Sequence, residues 1–405
     1  MNTLLSRLSK IPRELKYFAV VTALMGLAAS MVDATFNNFL DAQFHLTGFQ
    51  RSFMEFPREL PGFLVVFVSA ALWFFCSRRL GGVSLLLSAV GALCIGYLSK
   101  SYAVMLIWLF IYSMGQHIFL PLQNSIGMEL ASNGKTGKRL GQLNALRNAA
   151  VIGGSFFVYL AFHFLNFTFQ HTYLLVAIIF TIASLFMFRM KRQTVKRPKM
   201  FLKLHKEYRM YYFLAILYGS RKQLFITFAP WVLVTIFHQP TQTLATLLTI
   251  GGVIGILFQP LLGWAIDNLG ERLVLMAEAL LLILVCMGYA FGKDIFAENT
   301  AFLIACGCFL LDQMLMSVNM ARAMYMEKIA LAPEDVQPAL TAGVTMDHVF
   351  SISIALIGGL IWNAFGYQYV FYLGMVIAVI NLIAAFNIHL PHKTRPDTPA
   401  AFIQE

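Results

Sequence analysis

Two segments of this chain repeat each other in the same order, about two hundred residues apart. Residues 128–147 read MELASNGKTGKRLGQLNALR, and residues 326–347 read MEKIALAPEDVQPALTAGVTMD. Each begins with Met-Glu, runs through a polar loop to a leucine, and places a charged residue seven positions later, Arg147 in the first copy and Asp347 in the second. A glycine pair follows each copy, at residues 153–154 and 358–359.

A second pair of matching segments supports the repeat. Phe-His at residues 44–45 opens a segment that closes on the Arg-Arg-Leu-Gly of residues 78–81, and Phe-His at 237–238 opens one that closes on the Glu-Arg-Leu of residues 271–273. Duplication of a multi-helix membrane unit predicts two similar halves with a binding site at their interface, near the middle of the membrane. It also predicts a mechanism in which one half rocks against the other.

The composition indicates a membrane protein. Of 405 residues, 59% are hydrophobic and only 12% are charged, with a mean hydropathy of +0.71. A soluble domain carries roughly 25% charged residues, so this chain has too few charges to cover a water-exposed surface. The apolar runs are continuous, which excludes the alternating pattern of a β-barrel. Helices are required because lipid offers no partner to exposed backbone groups.

The apolar runs predict about twelve transmembrane helices, each needing roughly 20 residues. We expect an N-terminal six-helix half (1–190), a basic linker (191–208), a C-terminal six-helix half (209–390) and a tail (391–405). The expected spans are 17–44, 52–76, 82–98, 103–129, 140–163, 170–190, 209–237, 243–266, 273–291, 299–327, 336–362 and 367–389.

The positive charge is placed at membrane boundaries. The net charge is +11, and the basic residues cluster before the first span and between the halves, whereas we expect the opposite loops to carry little beyond Arg51, Lys100 and Lys293. The positive-inside rule then places both termini and the linker in the cytoplasm. This distribution argues for a membrane protein rather than a nucleic-acid partner, and we expect it in the bacterial inner membrane. The five cysteines lie in apolar spans and lack metal-finger spacing.

One loop carries a family motif. Residues 263–272 read GWAIDNLGER, which resembles the Gly-x-x-x-Asp-x-x-Gly-x-Arg loop of the major facilitator superfamily. The resemblance implies an all-α fold of two pseudo-symmetric six-helix bundles, and a gating role for Asp267 and Arg272 at the cytoplasmic side. The acidic residue can also cap a helix end and pair with the arginine. In the first half the copy is degenerate, since Phe74 stands at the expected acidic position.

The resemblance also implies that the first, fourth, seventh and tenth helices line a central cavity, and each carries polar residues. Arg221 and Lys222 suit an anionic group, because a guanidinium matches carboxylate or phosphate. The alternative is that Asp33 or Asp312 neutralises these cations across helices. The expected substrate ligands are Asn37, Gln116, His117, Arg221, Lys222 and Gln313.

Ionisable residues inside a membrane are costly and indicate function. Burial favours the protonated form of a carboxyl group, so we expect proton coupling at Asp33 and Asp312. In the second span, Glu55 and Glu59 form either a proton-binding pair tuned by Arg58 or an external gate network. The further expected proton-coupling residues are Glu55, Glu59 and Asp347, and the further expected gating residues are Arg58 and Arg147.

Two other features of the second half leave alternatives open. Asp347-His348 suits proton transfer, because histidine titrates near neutral pH, but a buried histidine satisfied by a neighbour also fits. Arg322 and Glu327 are expected to reach the interface or to pair. Met316, Met320 and Met324 repeat at four-residue spacing, which suits a soft metal such as Cu(I) or irregular packing.

These observations predict a secondary active transporter that moves a small solute, an organic anion or amphiphile, by alternating access with proton coupling. A soft-metal transporter and a non-transporting sensor or assembly partner are the alternatives. No Walker loop, nucleophile elbow or zinc-protease motif is present, so we expect no enzyme and no cofactor. The expected partners are a small-molecule substrate, the bilayer and a coupling proton, and one chain containing both halves is expected to work as a monomer.

Overall fold

The computed structural model describes residues 12–71, 76–131, 136–192, 205–332 and 335–388. Phe74, most of the basic linker and the tail lie outside these residues. The described chain forms helices joined by short loops, which confirms the predicted all-α fold. Twelve helical units follow one another: α1 Arg13–Phe44, α2 in two pieces (Gly48–Phe53 and Glu55–Ala71), α3 Ser77–Leu98, α4 Tyr102–Glu129, α5 Thr136–Phe164, α6 Phe169–Arg189, α7 Arg209–Thr235, α8 Thr241–Leu269, α9 Glu271–Ile295, α10 Glu298–Ile329, α11 Val336–Phe365 and α12 Tyr367–Phe386.

Most of these helices have the length and composition of membrane spans. Within the described residues, ten are long and apolar enough to cross a bilayer. The other two are α2, which is interrupted at Met54, and α7, which carries Arg221 and Lys222 at mid-length. A 3-10 turn at Met316–Val318 also divides α10. These interruptions fall in helices where the sequence places polar or charged residues among apolar ones.

Each half has its own hydrophobic core. Phe18, Phe119 and Phe180 are fully buried in the first core, and Phe228 and Leu275 in the second. Close helix contacts inside a half use small residues, as is common in membranes. A Cβ atom on Gly91 of α3 would lie 2.5 Å from the backbone nitrogen of Tyr112 in α4.

The backbone repeats itself in the two halves. His45 after α1 and His238 after α7 both adopt a left-handed conformation, with φ of 46° and 51°. Asn166 after α5 and Gly366 after α11 also have positive φ. Left-handed backbone is uncommon for residues other than glycine, so its occurrence at the same two turns of each half follows the duplication seen in the sequence.

The two halves meet at one end of the bundle. We call the end next to residues 191–208 the linker end and the opposite end the far end. At the far end, Asn38 Nδ2 donates to the Gln239 carbonyl oxygen at 2.8 Å, and the Phe49 backbone N–H donates to Asn363 Oδ1 at 3.1 Å. Gly359 also packs directly on Ser52. The far end is therefore closed.

At the linker end, the ion pairs of the described residues stay within one half. Arg78 at the start of α3 contacts Glu14 at 3.2 Å and also pairs with Glu129 at the end of α4. In the second half, Lys328 Nζ lies 2.6 Å from Glu271 Oε1. The halves are thus joined at the far end, and each is tied together separately at the linker end.

Candidate functional site

A cavity of about 230 Å³ lies between the two halves. The first half contributes α1 and α5, and the second contributes α8 and α10. Two predicted site residues, Asp33 and Gln313, line this cavity. Its other polar or small lining residues are Ser30, Asn148, Ser155, Gly251, Gly252, Gly255, Gln259 and Ser317.

A second cavity of about 170 Å³ lies within the first half, between α1, α4 and α5. Three residues predicted from the sequence, Gln116, His117 and Arg147, line it together with Gln123. Arg147 reaches this position because Gly26 lets α5 approach α1 closely, and a Cβ atom on Gly26 would lie 2.6 Å from the Arg147 carbonyl oxygen. The sequence predicted a gating role for Arg147, and the structure places it beside predicted substrate ligands.

Asp33 and Arg147 are charges that face open space. Asp33 is exposed and Arg147 is half-buried. Among the described residues, neither forms a hydrogen bond or ion pair, and their charges act on each other through space. An unpaired charge inside a membrane is costly unless water or a ligand reaches it. These two side chains are therefore available to a solute or a proton.

Arg221 and Asp312 are engaged with each other. Arg221 Nη1 donates to Asp312 Oδ1 at 2.6 Å, and Arg221 Nη2 lies 3.3 Å from Glu278 Oε1 in α9. Arg322 of α10 completes the group with a 2.6 Å bond to Glu278 Oε2. All four residues are buried. Two cations and two anions thus neutralise one another across α7, α9 and α10. This is the alternative in which Asp312 neutralises Arg221 across helices.

Lys222 is also paired, with a different helix. Its Nζ lies 2.7 Å from Asp347 Oδ2 in α11, and Ser351 Oγ donates to Asp347 Oδ1 at 2.9 Å. Gly219 makes room for the contact, because a Cβ atom there would lie 2.8 Å from the Asp347 Cα atom. Lys222 and Asp347, predicted to bind substrate and to carry a proton, therefore form one intramembrane pair.

The charges of α2 form a network near the far end. Arg51 Nη1 donates to Glu55 Oε1 at 2.6 Å, and Arg51 Nε donates to Asn37 Oδ1 at 3.1 Å. Arg58 lies 3.3 Å from the same Glu55 oxygen. The expectation that Arg51 belongs to an exposed loop is wrong, since it lies in the first helical piece of α2 and is 1% exposed. This closed network has the geometry of the gate interpretation.

Glu59 is separate from that network and reaches the second half. His348 Nδ1 of α11 donates to Glu59 Oε2 at 2.9 Å. The ring of His117 in α4 lies edge-on to His348, with centroids 5.5 Å apart. The three side chains meet where α2, α4 and α11 converge, so Glu59, His117 and His348 form one cluster between the halves.

The two residues of the loop motif do not pair with each other. Asp267 and Arg272 are exposed, and the Arg272 guanidinium lies 4.8 Å over the ring of Phe386 instead. The expected capping by Asp267 is also not seen, because Gly270, with φ of 83°, forms the boundary between α8 and α9 without a side-chain cap. In the first half, Arg78 makes ion pairs although the acidic position of its motif is degenerate.

The methionine stripe of α10 mainly packs. Met316 and Met324 lie against the core of the second half, whereas Met320 is 40% exposed. The 3-10 turn that begins at Met316 changes the helical register within the stripe. Two of the three methionines thus pack against the core of the second half.

The site residues predicted from the sequence do not include three charged residues that lie in buried networks, Arg51, Glu278 and Arg322. Glu278 stands alone in an apolar run of α9, and an isolated acidic residue of this kind was the available signal. Arg322 was expected to reach the interface or to pair, and it pairs inside the protein. The ion-pair partner of each residue depends on how its helix is rotated about its own axis. The sequence does not specify that rotation.

Comparison with known proteins defines the class. The sequence profile of the Major Facilitator Superfamily matches residues 18–330 and 211–403. The chain therefore belongs to this superfamily, and it is an integral membrane protein with the fold of secondary transporters. No curated protein sequence matches it closely enough to count as a relative.

Several solved structures share the fold at low sequence identity. The nucleoside transporter NupG is 12% identical with a TM-score of 0.72, over 92% of this chain and 97% of that one. A D-xylose-proton symporter is 15% identical with a TM-score of 0.65, over 93% and 97%. A bacterial homolog of the human lysosomal transporter Spinster, in an inward-facing and unoccupied conformation, is 10% identical with a TM-score of 0.71, over 93% and 96%.

Proposed function

We propose that this protein is a proton-coupled secondary transporter of a small organic anion. The observation that carries the proposal is the contrast between paired and unpaired charges. Arg221, Lys222, Asp312 and Asp347 are satisfied by ion pairs, whereas Asp33 and Arg147 face cavities. A charge that binds a ligand or a proton has to remain accessible to it. A charge that is held in an ion pair is not accessible in this way.

Arg147 replaces Arg221 and Lys222 as the proposed anion ligand. It lines the second cavity beside Gln116, His117 and Gln123, which supply further polar groups. A guanidinium offers five donors in a planar fork that fits a carboxylate. This set of one cation and several neutral polar groups suits a small anion that also carries hydroxyl or amide groups.

Asp33 is the proposed proton carrier. Its position on the cavity wall gives water access to the carboxylate, and the positive charges of Arg58 and Arg147 act on it. An anion that binds Arg147 removes part of that positive field, which favours protonation of Asp33. Substrate binding and proton binding are coupled in this way through one shared electrostatic field.

The transport cycle proposed here is alternating access by a monomer. The far-end contacts support a state that opens toward the linker end, and by the positive-inside rule the basic linker supports a cytoplasmic location for that end in a bacterial cell. Opening the opposite side requires breaking the Asn38–Gln239 and Phe49–Asn363 bonds and rocking the halves. One chain contains both halves, so no partner subunit is needed.

Uptake by proteoliposomes tests the proposal. We expect a panel of radiolabelled mono- and dicarboxylates to contain at least one anion that accumulates under an imposed proton gradient. Arg147→Gln then raises the KM for that anion by about tenfold or more, because a charge-assisted hydrogen bond contributes roughly 1.5–3 kcal/mol. Arg139→Gln, which removes an arginine bonded to Gln142 at the start of α5, is the matched control.

The proposal fails if no anion in the panel moves down or against its gradient. It also fails if Arg147→Gln binds a transported anion as tightly as the control does. Counterflow without a proton response supports transport and rejects the coupling.

A further inference from the structure

Glu59, His117 and His348 form a cluster in which His117 also lines the second cavity, but the proposed anion site requires neither Glu59 nor His348. Each of the three residues offers one ligand atom, and these atoms all lie within 4.8 Å of one another. Two imidazoles and a carboxylate are ligands of borderline divalent transition metals, as in three-ligand zinc sites that keep one position open. We propose that these three residues bind a divalent transition-metal ion such as Zn²⁺.

The hydrogen bonds of His117 prepare it as a ligand. Its Nδ1 lies 3.0 Å from the backbone carbonyl oxygen of Ser113. A carbonyl oxygen only accepts, so Nδ1 carries the proton and Nε2 keeps a free lone pair. Metal-bound histidines typically donate their other ring nitrogen to a backbone carbonyl or carboxylate in this manner, which fixes the ring and the tautomer.

The space between the three side chains is kept by a glycine. A Cβ atom on Gly62 would lie 2.8 Å from His117 Cδ2 and 2.8 Å from His348 Cε1. Glycine in the middle of a helix carries a conformational cost, and here it lets two imidazoles approach the axis of α2. In a tetrahedral zinc site, ligand atoms are roughly 3.4 Å apart, given metal–nitrogen distances of about 2.0–2.1 Å. Small side-chain rotations bring the three residues to that spacing.

Among the described residues, no neighbouring cation bonds to the cluster. Arg58, the nearest cation along α2, contacts Glu55 at 3.3 Å, and its charge also acts on Glu59 through space. Lys222 is held by Asp347, the residue before His348. Among the described residues, His348 donates to no carboxylate other than Glu59. A metal ion would take the place of that N–H proton between the two side chains.

The ligands come from both halves, which gives binding a conformational consequence. Glu59 and His117 belong to the first half, and His348 belongs to the second. The full ligand set therefore exists when α11 lies against α2, as it does with the far end closed. A ligand that binds one conformation better shifts the population toward it, so the metal stabilises this closed far end.

The test is zinc binding by the full-length chain, purified in detergent without a polyhistidine tag. We expect about one Zn²⁺ per chain by atomic absorption after dialysis, and a higher melting temperature with ZnCl₂. His117→Ala and His348→Ala each weaken binding by about tenfold or more, the size of effect seen even for supporting residues of metal sites. His163→Ala, at an exposed histidine outside the cluster, is the matched control and retains full binding.

Two further measurements keep the result interpretable if a variant fails to fold. Glu59→Gln keeps the size and an acceptor oxygen but removes the charge, and we expect it to lose the zinc-induced rise in melting temperature while eluting as a single folded species. Co²⁺ added to the unchanged protein should give the visible absorption of a four-coordinate site, and Zn²⁺ should remove it. A chain that binds no zinc, or variants that bind it as tightly as the control, would overturn the proposal.

Discussion

At the scale of single residues, access to the cavity separates Asp33 from the other intramembrane carboxylates. Asp312, Asp347 and Glu55 each meet a cation at 2.6–2.7 Å, whereas Asp33 borders open space. In each of these pairs the cation occupies the carboxylate oxygen that a proton would bind, so the pair has to open before a proton can bind there. Only a carboxylate that exchanges with water is suited to a transport cycle.

Replacing Asp33 should uncouple transport from protons. We expect Asp33→Asn to abolish accumulation driven by a proton gradient while sparing substrate exchange between two equal pools, because exchange needs no net proton movement. Proteoliposome uptake and counterflow measure the two activities. Asp294→Asn, at an exposed carboxylate in the last turn of α9, should behave as the unchanged protein. Full pH-driven accumulation by Asp33→Asn would remove Asp33 from the mechanism.

At the scale of helices, the group of Arg221, Asp312, Glu278 and Arg322 holds α7, α9 and α10 together. Removing one member leaves an uncompensated charge in a dry environment, whereas removing a pair together does not. Replacing one member of this group should therefore lower the stability of the protein, whereas replacing a proton carrier should abolish proton coupling.

We expect Asp312→Asn to destabilise the protein by about 3–5 kcal/mol, the cost of breaking a buried pair. The double variant Asp312→Asn with Arg221→Gln should recover part of the loss. Thermal or denaturant unfolding in detergent measures both, with Asp294→Asn as the control. Normal stability of the single variant combined with lost proton coupling would instead return Asp312 to the role predicted from the sequence.

The glycine pair after the first repeat segment offers a test of helix packing. A Cβ atom on Gly154 would lie 2.6 Å from the Leu27 carbonyl oxygen of α1, whereas one on Gly153 would meet nothing within 4 Å. The Leu27 backbone cannot move away from an added Cβ atom as easily as a side chain could. We expect Gly154→Ala to lower the melting temperature, and Gly153→Ala to leave it unchanged or raise it, since alanine is favoured over glycine by roughly 0.5–1 kcal/mol in a helix. Equal effects would show that α1 and α5 do not pack as described.

Helix positions were largely predictable, and helix partners were not. Apolar length predicted the span of α1, and the loop motif at residues 263–272 predicted the connection between α8 and α9. The break at Met54 was missed because it lies in a run of helix-forming residues. The ion pairs of Arg221 and Lys222 were left as one alternative, because adjacent residues on a helix point about 100° apart and their partners lie on different helices.

At the scale of the whole molecule, two similar halves enclose a cavity between them. The repeat in the sequence predicted the two halves and a site at their interface, and the cavity that Asp33 lines lies there. The sequence did not indicate which end is closed. Which end is closed depends on contacts between the halves, such as the Asn38–Gln239 hydrogen bond at the far end. A transporter forms more than one set of such contacts.

If water fills the cavity between the halves, two residues of α8 should differ in their exposure to it. Gln259 lines the cavity, whereas Leu257, 73% exposed, lies about 200° around the helix from it, where we expect lipid. The reactive form of a cysteine is the thiolate, and apolar surroundings suppress it. The two positions should therefore differ sharply in reactivity although they are two residues apart.

The deciding measurement is the labelling rate of Gln259→Cys and Leu257→Cys in lipid nanodiscs, with the five native cysteines replaced. The probe is a charged, membrane-impermeant thiol reagent. We predict that Gln259→Cys reacts at least about tenfold faster than Leu257→Cys. If Leu257→Cys reacts as fast as Gln259→Cys, or if neither reacts, then no hydrated cavity separates the halves and the account is contradicted.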